Sequence, residues 1–134
     1  MRLWHYKLLP VLPDKMLISQ WRECIAIKRQ WEKGTLKHRL VSYVMDYKKD
    51  LFSSYVFDVM GEMNNRNIKF QKKYWDEIYE FCGRLGVDHY KEHNNRYLKQ
   101  CYYNLQEKAD RGIITKEEWK LIHKKIYGLI KEEN

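Results

Sequence analysis

The stretch that decides the fold runs Leu12-Pro13-Asp14-Lys15-Met16-Leu17-Ile18-Ser19-Gln20-Trp21-Arg22-Glu23-Cys24-Ile25-Ala26-Ile27. Its apolar residues do not alternate. Leu17, Trp21, Cys24 and Ile25, with Ile18 beside them, recur at spacings of three and four and form one stripe along a helix. Arg22 and Glu23 lie together at the margin of that stripe. Asp14 suits the N-cap, because its side-chain oxygen can accept from the unsatisfied N–H groups of a first turn. The spacing predicts a helix over 15–30, with Gly34 as the natural break. Upstream, Pro10 and Pro13 predict an extended or irregular segment over 1–13.

The helical period continues downstream. Leu51, Phe52, Tyr55, Val56, Val59, Met60 and Met63 place a second helical region within 36–66, after an apolar lead-in at Val41, Tyr43, Val44 and Met45. Asn64-Asn65-Arg66-Asn67 is a stop signal by composition. A short helix is predicted over 69–82, and Gly83 and Gly86 bracket a turn. A long helix is predicted over 88–111, with Tyr97, Leu98, Cys101, Tyr102, Leu105 and Ala109 on its stripe and Gly112 at its left-handed cap. Thr115 followed by Glu118 reads as a capping box for a last helix carrying Trp119, Ile122, Ile126, Leu129 and Ile130. The predicted fold is all-α: a compact single-domain helical bundle over 1–134, with an extended N-terminal segment packed against the helices.

Composition narrows the function. Of 134 residues, 44% are hydrophobic and 15% aromatic, enough for one core. A mean hydropathy of −0.78 excludes a membrane span, as does the lack of any apolar run near ~18 residues. The N-terminus lacks the uninterrupted apolar run of a signal peptide, so a cytoplasmic location is expected. A net charge of +8, from 26 basic and 18 acidic residues, favours a polyanionic partner, although a solvated lysine-rich surface would look the same. Cys24, Cys82 and Cys101 form no close pair, and buried free thiols are expected. The glycines are too scattered to cradle a phosphate. His89 and His93, at i and i+4, could share a metal but lack a third ligand nearby; an exposed polar face is the better reading. Residues 107–118 imitate a calcium loop, yet Ala109 and Arg111 stand where carboxylates are required. Neither a metal nor an organic cofactor is expected.

The first 23 residues carry more. Met1-Arg2-Leu3-Trp4, Leu12 to Asp14 and the triplet Trp21-Arg22-Glu23 resemble the pyrimidine-dimer DNA glycosylase/AP-lyase family, the phage-type endonuclease V enzymes. Weaker likeness continues through His38 to Tyr47, Arg66-Asn67-Ile68 and Leu105-Gln106-Glu107-Lys108. The resemblance implies a DNA-repair enzyme whose nucleophile is the chain's own α-amine. Such amines titrate near ~7.7–8.0, far below lysine, so a substantial fraction is neutral at physiological pH. The amine would attack the deoxyribose C1′, expel the base and leave an imine. A carboxylate, by resemblance Glu23, would move the protons of ring opening and β-elimination.

Two positions depart from the family pattern. Arg2 follows the initiator methionine, which is therefore expected to be retained, so that the nucleophile is the amine of Met1. The family's further arginine three residues beyond Glu23 is matched by Ala26, for which Lys28 and Arg29 could substitute, although they face elsewhere on the helix.

The expected DNA-binding residues are Arg2, Arg22, Lys28, Arg29, His38 and Lys108, with Met1 and Glu23 catalytic. The expected partner is double-stranded DNA containing damaged bases or abasic sites, bound by a monomer that associates with the nucleoid through that DNA. Other readings stay open: excision of a different modified base, action on abasic sites alone, a non-catalytic basic DNA-binding module, or a helical interaction protein whose charge only maintains solubility. Without the resemblance, Arg22 and Glu23 would read as a surface ion pair and Trp4 and Trp21 as core.

Overall fold

The computed structural model describes residues 1–131. Five α-helices and two 3-10 turns make up its regular structure, and among the described residues there is no strand. The expected all-α architecture is what forms.

Helix α1 spans Asp14–Lys33. It starts one residue earlier than its spacing predicts. Asp14 is its first residue and Pro13 its cap, with no side-chain capping bond. The Asp14 carboxylate instead meets Arg66 Nη1 at 2.9 Å. The helix ends at Gly34, whose φ of 74° is the left-handed conformation that glycine adopts without strain.

The N-terminal segment is more ordered than its prolines suggest. Residues 1–5 are irregular, but Tyr6–Val11 winds into a 3-10 helix that contains Pro10. His5 caps it, its Nδ1 accepting from Lys7 N–H at 3.1 Å. Two of its carbonyl ends find a donor in a distant guanidinium: Arg66 Nη1 donates to Leu12 O at 2.6 Å and Nη2 to Leu9 O at 3.0 Å.

The region 36–66 is not one helix. A 3-10 turn at Ser42–Asp46 ends in extended backbone at Tyr47, and α2 follows over Lys49–Asn65. The third helix, α3, covers Lys72–Cys82 and stops at Gly83, φ 86°. Helix α4 spans Asn95–Asp110, starting seven residues later than the predicted 88. The reason is local: Asn94 Oδ1 accepts from Tyr97 N–H at 2.9 Å and nucleates the helix there. Residues 84–94 form a loop, and His89 and His93 therefore share no helical face. Helix α5 covers Lys116–Lys131 behind the predicted capping box, in which Glu118 N–H donates to Thr115 Oγ1 at 3.1 Å and Thr115 N–H to Glu118 Oε1 at 2.7 Å. Leu129, assigned to the apolar stripe of that helix, is exposed, while Ile122, Ile126 and Ile130 are buried.

The helices pack in two groups joined by the chain start. Helices α1, α2 and α3 pack against one another, and α4 packs on α5. The 3-10 segment Tyr6–Val11 lies between the groups, against α2 and α5. Buried side chains from every element form one contiguous cluster, to which Leu3, Trp4, Leu8, Leu9 and Leu12 belong. The chain start is thus a core element, which explains why so short a segment holds a defined position. No described helix is long and apolar enough to cross a membrane.

Candidate active site

The site is built where the first residues cross α1. Leu3, Trp4 and His5 are buried, so their backbone groups need partners. Those partners come from three helices. Gln20 Oε1 accepts from Trp4 N–H at 2.7 Å, and its Nε2 donates to Arg2 O at 2.9 Å. The Tyr55 hydroxyl of α2 lies 2.6 Å from Trp4 O and 3.0 Å from Gln20 Oε1. The Tyr97 hydroxyl of α4 donates to Leu3 O at 2.6 Å. Residues 2–4 are therefore held on both backbone edges, and Met1, half-buried, packs against the core beside them.

Glu23 follows Gln20 by three residues and shares its side of α1. Its Oε2 accepts from Gln20 Nε2 at 3.1 Å. Burial raises its carboxyl above the ordinary glutamate value, while the N-terminal charge, the Arg2 backbone N–H, His38 and the Arg2 guanidinium act in the opposite direction. A half-buried carboxylate thus faces the charged end of its own chain.

The predicted site residues separate into three sets. Met1, Arg2, Glu23 and His38 come together around the carboxylate. The Arg2 guanidinium packs 5.1 Å from the Trp4 ring centroid. His38 is exposed, with its Nδ1 accepting from Leu40 N–H at 3.3 Å.

Arg22 and Arg29 form the second set, on the outer side of α1. Both line an open cavity of about 490 Å³, walled also by Trp21, Ile25, Phe70 and Tyr74. The Trp21 and Phe70 rings stand 5.0 Å apart there. Trp21, although 5% exposed, is both core and cavity wall. Arg29 is exposed and also grips Glu77, Nε to Oε2 at 3.0 Å and Nη2 to Oε1 at 3.1 Å.

Lys28 and Lys108 stand apart. Lys28 is buried, and its ammonium is held by Glu32 Oε1 at 2.9 Å and Glu77 Oε2 at 3.3 Å. It does not stand free to meet a phosphate, because it is buried and two carboxylates already hold its ammonium. Lys108, half-buried in the last turn of α4, makes no hydrogen bond or ion pair to the Glu23 group among the described residues.

Behind the chain start lies a histidine–tyrosine cluster. His89 stacks on Tyr6 with centroids 3.5 Å apart, and His93 Nε2 is 2.7 Å from the Tyr43 hydroxyl. Burial lowers His5 to about 4 and His93 to about 3. His93 is thus a buried neutral residue and not part of an exposed polar face. Among the described residues, no group of three His, Cys, Asp or Glu side chains is arranged to hold a metal.

The family model for pyrimidine dimer DNA glycosylase matches residues 1–76, more than half of the chain. The chain belongs to the pyrimidine dimer DNA glycosylase family. That makes it a DNA-repair glycosylase by family, with DNA as its substrate. No curated protein and no solved structure gives a significant match. Met1, Arg2, Gln20, Arg22, Glu23, His38 and Tyr55 of this glycosylase all fall within the matched residues, whereas Tyr97 and Lys108 lie beyond them. Part of the clamp on the chain start therefore comes from outside the family-defining segment.

Gln20 and Tyr55 are not among the residues that the sequence marks for the site. Gln20 had one readable signal, a polar residue within the apolar stripe of α1. Tyr55 has none, since tyrosine at stripe spacing reads as core, and Tyr97, which the sequence offers as a support for an extrahelical base, instead bonds Leu3 O.

Proposed function

We propose that this glycosylase removes pyrimidine-dimer bases and then cuts the abasic strand, using the α-amine of Met1 as nucleophile and Glu23 as the proton-handling carboxylate. The observation that carries the reading is Glu23 itself, a half-buried carboxylate facing the N-terminal charge and tied to the chain start through Gln20.

The steps balance with groups of the chain and water. The neutral amine nitrogen bonds to C1′, and the glycosidic C1′–N bond breaks, its electron pair leaving with the base, which takes up a proton. The nitrogen sheds one of its two protons, its lone pair opens the ring C1′–O4′ bond, and O4′ takes up a proton, giving the protonated imine. Glu23 then takes the C2′ proton, and the electrons of that bond form C1′–C2′ unsaturation and move on to expel the 3′ phosphate. Water hydrolyses the imine and frees the amine. Burial raises the carboxyl, so it takes up a proton more readily than a free glutamate.

C1′ is not open to attack within a stacked duplex, so the DNA must be kinked and a nucleotide extruded. The cavity beside Arg22 fits that need: its aromatic walls offer stacking surfaces, and the exposed Arg22 would meet phosphate. Arg2, Arg22, Arg29, His38 and Lys108 are the proposed DNA contacts; Lys28 is left out because Glu32 and Glu77 hold it.

The test is borohydride trapping of untagged protein on DNA with a single abasic site, beside ultraviolet-irradiated DNA. The expected result is a covalent adduct on both, mapping to residue 1 and lost when the terminus is acetylated. Trapping on the abasic site alone would confine the activity to the lyase. No adduct from folded protein with a free terminus would overturn the amine mechanism and leave a DNA-binding module.

A further inference from the structure

We propose that Gln20 is the positioning residue of this site: its carboxamide fixes the chain's amino end relative to Glu23 and donates a hydrogen bond to that carboxylate. The inference rests on the amine and Glu23 reading given above, and its argument is geometric.

Gln20 is fully buried, and its amide is fully used. Trp4 N–H is a donor, so the atom 2.7 Å from it must be the oxygen. Arg2 O is an acceptor, so the atom 2.9 Å from it must be the nitrogen. The orientation of the amide therefore follows from its partners. The remaining N–H points to Glu23 Oε2 at 3.1 Å, and the Tyr55 hydroxyl shares its one proton between Trp4 O at 2.6 Å and Gln20 Oε1 at 3.0 Å. One planar group thus bonds the Arg2–Leu3 peptide with one N–H of its NH₂ and the carboxylate with the other. Rotating the amide to release Glu23 would set oxygen against the Arg2 carbonyl and nitrogen against the Trp4 N–H. The link is accordingly stiff, and a site of this kind loses rate steeply when reacting groups move by an ångström.

The charged groups facing Glu23 from the elements around it are the terminal amine, Arg2 and His38. Arg2 is cationic at every working pH, and the other two are cationic when protonated. The Gln20 donor is neutral and constant. A hydrogen bond to the charged form favours that form, so Gln20 opposes the effect of burial at every pH.

Two variants test this, Q20M and Q20E. In Q20M the donor is replaced by a thioether of similar length. The expected result is a fall on the order of 10²-fold in the single-turnover cleavage of abasic DNA, with duplex affinity within about threefold of wild type, and the Glu23 titration, read by carboxyl ¹³C NMR, moved up by about one unit or more. Q20E places a second carboxyl against Glu23; Glu23 should titrate higher still, and adding E23Q should restore a single amide–carboxylate pair and return thermal stability toward wild type. The second variant keeps the test open if Q20M does not fold, because its shape is nearly unchanged.

A wild-type Glu23 titration in folded Q20M or Q20E, or loss of rate matched by equal loss of DNA affinity, would overturn the proposal. Failure of the underlying reading looks different: the wild-type protein itself would form no borohydride adduct, while the NMR titration would still show whether Gln20 governs Glu23.

Discussion

Arg66 Nη1 lies 2.6 Å from the carbonyl oxygen of Leu12, across 54 residues of chain. That contact joins the end of α2 to the segment that carries the amino end. The same guanidinium holds Leu9 O at 3.0 Å, Asp14 Oδ1 at 2.9 Å and Glu62 Oε2 at 2.8 Å. Four acceptors around one planar cation is a use that lysine cannot copy. Arg66→Met should therefore destabilise the protein by about 2–4 kcal/mol, since the mostly buried acceptors lose their donor together. Arg66→Lys should recover less than half of that. Thermal melts of both decide the point; near-wild-type stability of the methionine variant would contradict it.

Glu23→Gln keeps the shape of the side chain and removes the base. Cleavage of an abasic strand should fall by about 10²–10⁴-fold. Duplex affinity, measured by mobility shift, should change little, because Glu23 is not a phosphate contact. Strand cleavage at the wild-type rate would remove Glu23 from the mechanism.

Stability should decline in mild acid because of His5 and His93. In the folded chain burial holds them at about 4 and about 3, against an ordinary value of 6.5. Above 6.5 both residues are neutral whether folded or unfolded, and pH has no leverage through them. As pH falls below 6.5 the unfolded chain takes up protons that the fold excludes, so stability is lost progressively down to the folded values. Two such histidines cost about 3 kcal/mol between pH 7.5 and 5.5. Denaturant midpoints at the two pH values measure it; no decline, or a rise toward acid, would show the cluster to be charged or exposed.

Arg22 and Lys28 are predicted to behave oppositely toward DNA. Arg22 is exposed at the cavity, and Arg22→Ala should weaken duplex binding and lower the salt slope by about one. Lys28→Met should leave affinity and slope unchanged, since Glu32 and Glu77 already hold that ammonium. A loss of slope in the lysine variant would show that its ion pairs open on binding.

Gly86 sits against α2, its N–H donating to Asp50 O at 3.0 Å. A Cβ there would stand 2.7 Å from that same backbone oxygen, inside van der Waals contact. Gly86→Ala should cost about 1–3 kcal/mol through displacement of the loop. Unchanged stability would mean that the loop shifts freely.

Much of the site was legible before any coordinates. Arg22 and Glu23 share the helix that their neighbours' spacing predicts, and Met1, Arg2 and His38 gather at that carboxylate. Lys28 is not the exposed cation that the sequence predicts, for a physical reason. A lysine in sequence looks like surface, and nothing local reveals that Glu77, 49 residues away, joins Glu32 in closing over it. His93 likewise is not on the exposed face that the sequence predicts, because the capping bond of Asn94 starts α4 after it and leaves it to the core.

The sequence by itself determined the helical class, the ends of helices at Gly34 and Gly112, the capping box at Thr115 and Glu118, and membership of a DNA-glycosylase family. These depend on neighbours within a turn or two, where hydrogen-bond spacing repeats and leaves a periodic mark. Only the tertiary structure decided what holds the chain start: Gln20 with Arg2 and Trp4, 18 and 16 residues away, Tyr55 with Trp4 at 51, and Tyr97 with Leu3 at 94. Such bonds form wherever packing brings a buried backbone group to a side chain, and that meeting has no period to read.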